Sequence, residues 1–393
     1  MSDKSPARAG QSFADVVIVG GGIMGLWAAL EADRAGLSTL LLDAGPLAAG
    51  ASGGLLGALM PHMPDKWNEK KQLQFEALLS LEREIAALEA ETGLSAGYRR
   101  AGRLIPLPKP HLRKIAERHQ AESEANWNQN GVSFSWNVID QSPHGALWPT
   151  SEVTAAGLVF DTFAARVSPR GLTGLLVARL KRSSRVKIDE GVTVTAIDVA
   201  ASVAQLSDGR FVSFGHLIVA AGHASFPLLS ALGPVLARPL GQPVKGQAAL
   251  LSAPMIAPYL PLLYLDGLYI VPHEGGRVAI GSTSEDRFND PFTTDQQLGD
   301  VLARAVRLAP QLAEADVIER WAGLRPKAID RDPMVGPHPA AERVIALTGG
   351  FKVSFGLAHV LARAALAPIL GLEAAVPESF STAHHLSVAA RMD

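Results

Sequence analysis

The chain switches repeatedly between two kinds of apolar spacing. Val16-Val17-Ile18-Val19 is a short, uninterrupted, β-branched run, the pattern of a strand buried on both faces of a parallel sheet. Gly20-Gly21-Gly22-Ile23-Met24-Gly25 follows at once. The spacing then becomes helical, with Leu26, Trp27 and Leu30 on one side and Glu31, Asp33 and Arg34 on the other. Gly36 ends that helix, and Ser38–Leu42 predicts a second apolar strand closing on Asp43. Further on, Glu69–Glu91 carries Leu81, Ile85 and Leu88 at helical spacing, with Gly93 as its stop. Val192–Ile197 alternates as a strand, and Val203–Leu206 and Arg210–Ser213 flank an Asp208-Gly209 hairpin turn. His216–Gly222 and Val344–Leu347 are apolar strands that run into small residues. Leu268–Val271 and Arg277–Ile280 form a hairpin around Glu274-Gly275-Gly276, and Thr294–Leu308 is an amphipathic helix.

Composition narrows the setting. The 393 residues are 48 % apolar and 19 % charged, enough to bury a large core and too long for one small domain. Thirty-six Lys and Arg against 38 Asp and Glu leave a net charge of −2, which argues against nucleic acid or an anionic membrane as the main partner. The chain has no cysteine, so disulfides, thiolate metal sites, cysteine nucleophiles and a cysteinyl bond to a cofactor are excluded. Met1–Ala14 is polar and supplies no signal-peptide core. Glycines interrupt Val16–Leu30, and Arg363 and Pro368 break Val360–Leu372, so no membrane span is expected and the cytoplasm is the expected location. There is no His-Glu-x-x-His pattern or carboxylate cluster for a metal, and no Gly-x-Ser-x-Gly elbow for a hydrolase. His62, His223 and His273 each lie near a motif and read first as ordinary hydrogen-bonding residues.

The glycine-rich entry carries the clearest chemistry. Strand, G-x-G-x-x-G, helix, second strand and a terminal acid occur in that order within one βαβ unit. Gly20 permits the tight turn, Gly22 lets a pyrophosphate approach the backbone, and Gly25 lets helix and strand pack closely. The helix N-terminus offers N–H groups and a positive dipole end to phosphates. Asp43 stands where an acid accepts hydrogen bonds from ribose hydroxyls, which disfavours a 2′-phosphorylated cofactor. By itself the fingerprint serves NAD or FAD. The small-residue loop Gly50–Ala58, with Ser52 and Gly53, reads as backbone laid against an extended cofactor or as a flexible surface loop.

Five motifs in fixed order then carry a resemblance. The Val16–Gly25 fingerprint, the Leu217–Gly222 strand, Pro243-Val244-Lys245-Gly246-Gln247, Tyr269-Ile270-Val271-Pro272 with Gly281-Ser282-Thr283, and Trp321-Ala322-Gly323-Leu324-Arg325-Pro326 resemble the FAD-dependent D-amino-acid oxidase superfamily. Glycine oxidase and sarcosine oxidase are members. The resemblance runs nearly end to end. It implies an α/β fold in which a Rossmann-like FAD-binding domain (1–90, 151–225 and 322–393) is interleaved with an α+β substrate domain (91–150 and 226–321) built on a mainly antiparallel sheet. Pro-rich Ile105–Pro110 and Leu232–Pro243 are the expected crossings.

The cofactor contacts it implies are Gly20, Gly22, Ile23, Met24, Gly25, Asp43, Ala44, Ser52, Gly53, Val194, Ala221, Gly222, Gly350, Phe351, Lys352 and Val353. It matches Arg325 and Tyr269 to the groups that hold a substrate carboxylate, and Lys352 to a basic residue beside the flavin. The expected activity is oxidation of the C–N bond of a small amino acid or secondary amine, by hydride transfer to flavin N5. The imine produced hydrolyses to an oxo acid, and electrons pass to oxygen or another acceptor. Val353-Ser354-Phe355 departs from the Asn-Gly-Ile of glycine oxidase, which puts glycine itself in doubt. Two other functions stay open. Gly50–Pro61 is similar to a loop in the oxidase half of a bifunctional tRNA-modifying enzyme, implying oxidation of a carboxymethylamino group on tRNA. The chain also suits a flavoprotein subunit of a larger dehydrogenase.

Overall fold

The computed structural model describes residues 12–129 and 131–391. In chain order its elements begin with strand β1 (Ser12–Val19), helix α1 (Ile23–Arg34), β2 (Thr39–Asp43), β3 (Ala58–Leu59), α2 (Glu69–Thr92), β4 (Arg103–Pro106) and α3 (Pro110–Asn126). There follow β5 (Asn128–Gln129), β6 (Val132–Ser133), β7 (Trp136–Ile139), β8 (Leu158–Asp161), β9 (Ala165–Arg166), α4 (Pro169–Leu180), β10 (Val186–Glu190) and β11 (Val194–Asp198). Next are β12 (Val203–Leu206), β13 (Phe211–Val219), α5 (Ser225–Ser230), β14 (Gly241–Ser252), β15 (Leu262–Leu265), β16 (Leu268–His273) and β17 (Arg277–Gly281). The chain finishes with α6 (Gln296–Leu308), β18 (Asp316–Ala328), β19 (Met334–His338), β20 (Ala341–Thr348), α7 (Ser354–Leu366) and α8 (Thr382–Ala390).

Two compact units result. The first holds the described residues up to Ser52, Leu176–Pro243, and the described residues from Arg325 onward; the second holds Gly53–Leu175 and Val244–Leu324. Segments 53–90 and 151–175, expected among the cofactor-binding pieces, therefore lie in the second unit. They fold there because β3 pairs with β9, and Gly57 sits so close to Val167 that a Cβ would strike its carbonyl. Ile105–Pro110, expected as a crossing, lies inside the second unit. Ile105 and Pro106 end β4, and Pro110 opens α3, where its missing N–H removes no helical bond.

The first unit is built on a sheet with β10, β2, β1, β13 and β20 side by side and parallel. β13 branches the sheet. Its first residues, Phe211–Ser213, pair antiparallel with β12, and its last, Leu217–Val219, pair parallel with β20. The turn between β12 and β13 passes through Gly209 at φ 86, the left-handed geometry that the Asp-Gly pair predicts. Val17, Leu217, Val219, Phe214 and Val344 fill the core on one side. On the other, α1 packs against α7, with Ala28, Ala29, Ala358 and Ala362 fully buried. The side of α1 expected to face water does not wholly do so. Asp33 is buried, ion-paired with Arg179 at 3.1 Å and hydrogen-bonded by the Ser183 hydroxyl.

The second unit carries an eight-stranded sheet in the order β18-β14-β17-β16-β15-β4-β8-β7. From β14 to β7 neighbouring strands pair antiparallel except β15 with β4. α2 begins at the Asn68 cap, whose side chain accepts from Lys71 N–H, and stops at Gly93 with φ 74. Arg103 and Asp161 face each other across β4 and β8, both fully buried, with Nη2 and Oδ2 2.5 Å apart. No described helix is long and apolar enough to cross a membrane.

Candidate functional site

The parallel strands of the first unit deliver their C-terminal ends to one edge, and Gly20, Asp43, Ala221, Gly222 and Gly350 lie at or just beyond those ends. At the end of β1, Gly20 has φ 107 and donates its N–H to the Leu42 carbonyl at 2.7 Å. A side chain on Gly20 would strike the carbonyl of Ala220, one residue beyond β13. Thr348, at the end of β20, donates its hydroxyl to the Gly222 carbonyl at 2.8 Å. So Gly20, Ala221 and Gly222, and the Thr348–Gly350 turn are fixed to one another.

The α1 N-terminus shows why the glycines are required. Gly22 is the N-cap and has no side chain to offer the helix. Ser52 does the capping from a distance: its Oγ accepts from Ile23 N–H at 2.8 Å. A Cβ on Gly22 would stand 3.1 Å from that oxygen, and one on Gly25 would collide with the Gly20 carbonyl. Backbone is thereby bared at the positive end of a twelve-residue helix, a cradle that fits a pyrophosphate. Removing the cap in Ser52→Ala is expected to weaken the helix end by about 0.5–2 kcal/mol and FAD binding about three- to thirty-fold. Flavin fluorescence titration checks it; an unchanged Kd would dismiss Ser52 as a contributor.

Asp43 has more to do than sequence suggested. Its Oδ2 accepts from Gly21 N–H at 2.6 Å and its Oδ1 from Gly45 N–H at 2.8 Å. Each carboxylate oxygen has further acceptor capacity, so a ribose hydroxyl fits beside these two bonds. Ala44 is exposed next to it. Val192 donates its N–H to the Asp43 carbonyl at 2.9 Å, which brings the start of β11 alongside; the Val194 side chain itself is in the core. Glu190 accepts from Leu47 N–H at 2.6 Å and ties the following loop to β10. Glu190 and Thr348 were not legible in advance, since each acts on a residue far away in sequence.

The C-terminal loop joins this assembly. Gly350 is buried, and a Cβ there would meet the Met24 side chain at 2.6 Å. Phe351 has φ 44, a left-handed backbone unusual for an aromatic residue. Its N–H bonds to the Pro326 carbonyl at 3.1 Å, and Lys327 bridges Gly350, so the loop is fastened beside Arg325. The half-buried Arg325 guanidinium lies 5.5 Å from the Phe351 ring centroid. Val353 is the N-cap of α7, with no side-chain bond.

Tyr269 and Gly53 belong to the second unit. Tyr269 is on β16, opposite Tyr264 and Gly281, with the two tyrosine rings 5.0 Å apart. Tyr269 packs with Leu56 and Trp321 on the apolar cluster of Leu55, Ala248 and Val271. Of the histidines, His62 is exposed and His223 half-buried, with burial holding the pKa of His223 below the ordinary value. Burial first, and the nearby Arg166 cation next, push His273 down to about 4, so the neutral ring donates from Nε2 to the Leu56 carbonyl at 3.1 Å. That is the bond of a loop fastener. Among the described residues no three His, Asp or Glu come together as a metal site.

Comparison with known proteins agrees with this architecture. The profile of the family described as FAD dependent oxidoreductase matches residues 15–364. The chain is 28 % identical to the bifunctional protein ThiO/ThiG of Trichormus variabilis, over 88 % of this chain and 51 % of that one. It is 28 % identical to the glycine oxidase of Pseudomonas aeruginosa, covering 88 % of this chain and 92 % of that one. The chain thus spans about half the length of the bifunctional relatives it matches. The crystal structure of glycine oxidase from Geobacillus kaustophilus superposes with a TM-score of 0.84 at 22 % identity, over 94 % of this chain and 98 % of that one, and shows a shared fold. The chain belongs to the FAD-dependent oxidoreductase family, an enzyme whose cofactor is FAD and whose lack of cysteine rules out a cysteinyl flavin bond.

Proposed function

We propose that this enzyme oxidises the C–N bond of a small amino acid or secondary amine, giving an imine that water hydrolyses to an oxo acid. The observation that carries the reading is Arg325, fastened beside the loop that touches the fingerprint helix through Gly350 and Met24. A planar guanidinium takes a carboxylate through two parallel hydrogen bonds, so Arg325 binds and orients an amino acid by its acid group. Bound FAD supplies the acceptor for the hydride that leaves Cα. The α7 N-terminus, uncapped by any side chain, adds positive potential to the same loop. Tyr269 is assigned to the substrate carboxylate on the resemblance alone. The relatives named glycine oxidase support an amino acid as substrate, and the absence of cysteine suits the cytoplasm. Oxygen or another acceptor would take the electrons.

The test is anaerobic mixing of the yellow protein with glycine, sarcosine and D- and L-amino acids. Loss of the visible flavin absorption with at least one of them is expected, and bleaching by none would end the proposal. In Arg325→Lys, kcat/KM should fall about 10- to 100-fold through KM, because an ammonium cannot reproduce the fork, while FAD stays bound.

A further inference from the structure

Two glycines on the large sheet of the second unit give up their side-chain space to a bulkier neighbour. In register, Ala248 of β14, Gly281 of β17, Tyr269 of β16 and Tyr264 of β15 lie side by side across four strands. Residues directly opposite one another point to the same face, so this row presents a methyl, a bare backbone and two phenol rings. A hollow is left above Gly281, walled on one side by Tyr269. Leu56 enters it from a distant segment: its Cδ1 stands 3.2 Å from the place a Cβ on Gly281 would take. On β18 the Trp321 indole lies across Gly323, where a Cβ would strike the ring. Leu56, Tyr269 and Trp321 pack on one apolar cluster with Ala248 and Val271.

Leu56 is held where it stands. His273 Nε2 donates to its carbonyl at 3.1 Å, and the carbonyl of the next residue, Gly57, accepts from Val167 N–H at 2.9 Å. Gly57 has φ 63, and a Cβ there would strike the Val167 carbonyl, so glycine is what lets the chain come this close. Directly afterwards β3 pairs with β9. The backbone is fastened at Leu56 and beyond it, while the Leu56 side chain is only half-buried. A branched apolar side chain on a fixed backbone is a stop: it fills volume, offers no hydrogen bond and cannot be pushed far aside.

We propose that Leu56 sets the upper size of the substrate. This rests on the reading of Tyr269 as a ligand of the substrate carboxylate, given above. A carboxylate on the Tyr269 hydroxyl places Cα one hydrogen bond and two covalent bonds from the phenol oxygen. Substituents on Cα or nitrogen then compete for the space beside the ring, and on the Gly281 side Leu56 already fills it. A hydrogen or a methyl group is accommodated; an isobutyl or benzyl group overpacks against a side chain whose backbone is tied down. The selection is by volume, so it applies to either hand of the amino acid.

The experiment is anaerobic flavin reduction and steady-state turnover of the whole yellow protein with glycine, sarcosine, and both hands of alanine, leucine and phenylalanine. The best of the small substrates is expected to exceed every leucine and phenylalanine in kcat/KM by about 100-fold or more. Leu56→Ala should narrow that ratio by about 10- to 100-fold, and Leu56→Phe should cost alanine about ten-fold more than glycine. Leu56→Val, one methylene shorter, carries the same comparison with about a ten-fold narrowing if the alanine variant loses its flavin. Leucine or phenylalanine used as well as the small substrates overturns the size limit while the amino acid reading stands. One common factor on all substrates in Leu56→Ala or Leu56→Val overturns it too. Tyr269→Phe should raise KM about ten-fold for every substrate and keep their ranking. An unchanged KM removes the Tyr269 reading and the size limit with it, and reduction by none of the amino acids overturns the proposed reaction as well.

Discussion

Gly25→Ala is expected to purify colourless. The added Cβ would land on the Gly20 carbonyl, with Ile18 Cγ2 3.4 Å away, and neither neighbour is the yielding tip of a flexible side chain. Relief requires the first turn of α1 to lift from β1, which pulls Ile23 N–H from Ser52 and opens the phosphate cradle. We expect FAD affinity to fall about 100- to 1000-fold, or 3–4 kcal/mol, as overpacking strain adds to a lost anion site. Flavin fluorescence titration gives the Kd, and circular dichroism shows whether the chain stays folded. Gly45→Ala is the control, because a Cβ there meets nothing within 4 Å. A yellow Gly25→Ala protein with the parent Kd would refute this account of the fingerprint.

The second large effect concerns stability. Asp161→Ala should destabilise the second unit by about 3–5 kcal/mol, because it leaves the Arg103 cation buried without its partner. Asp161 also accepts from the N–H groups of Phe163 at 2.7 Å and Ala164 at 3.0 Å, so the turn after β8 loses two bonds as well. The side chain of Arg103 reaches the Met60 sulfur at 3.6 Å and lies over Trp136, and among the described residues no other carboxylate pairs with it. Urea unfolding followed by tryptophan fluorescence reads the change. Arg103→Met with Asp161→Leu should recover the part due to the stranded charge, though not the turn bonds. A single variant as stable as the parent would show that water or another group reaches Arg103.

What was legible in the sequence depended on how local its cause was. The βαβ entry was readable because Val16–Val19, the glycines and the helical spacing from Leu26 impose themselves within a few residues. The Asp208-Gly209 turn and the Gly93 stop were readable for the same reason: each is one residue adopting a backbone that glycine tolerates. Trp321–Pro326 was readable only as a resemblance, and its place within the thirteen-residue strand β18 was not anticipated. α3 was missed since its surface is largely polar, with only Ala116 and Ser123 buried, and little apolar period marks it. The site followed the same rule. Gly20, Gly22 and Gly25 stand out by spacing, and the close backbone approaches at Gly20 and Gly25 follow from it. The bond from Ile23 to Ser52, the bond from Leu47 to Glu190 and the meeting of Gly350 with Met24 join residues that no pattern links.

The branched strand β13 also fixes a timetable. Ser12 of β1 faces Val212, and Leu217 in turn faces Val344, so the middle of the sheet is assembled from segments made early, midway and late in translation. While the ribosome works between them, Val16–Val19 has β2 along one edge and its other edge unpaired, the kind of exposed strand edge that invites wrong pairing. Such distant pairings make for slow closure. Neither β20 nor the Gly350 turn can dock until it has emerged, so the flavin is a late arrival, admitted only after nearly all of the first unit has left the ribosome.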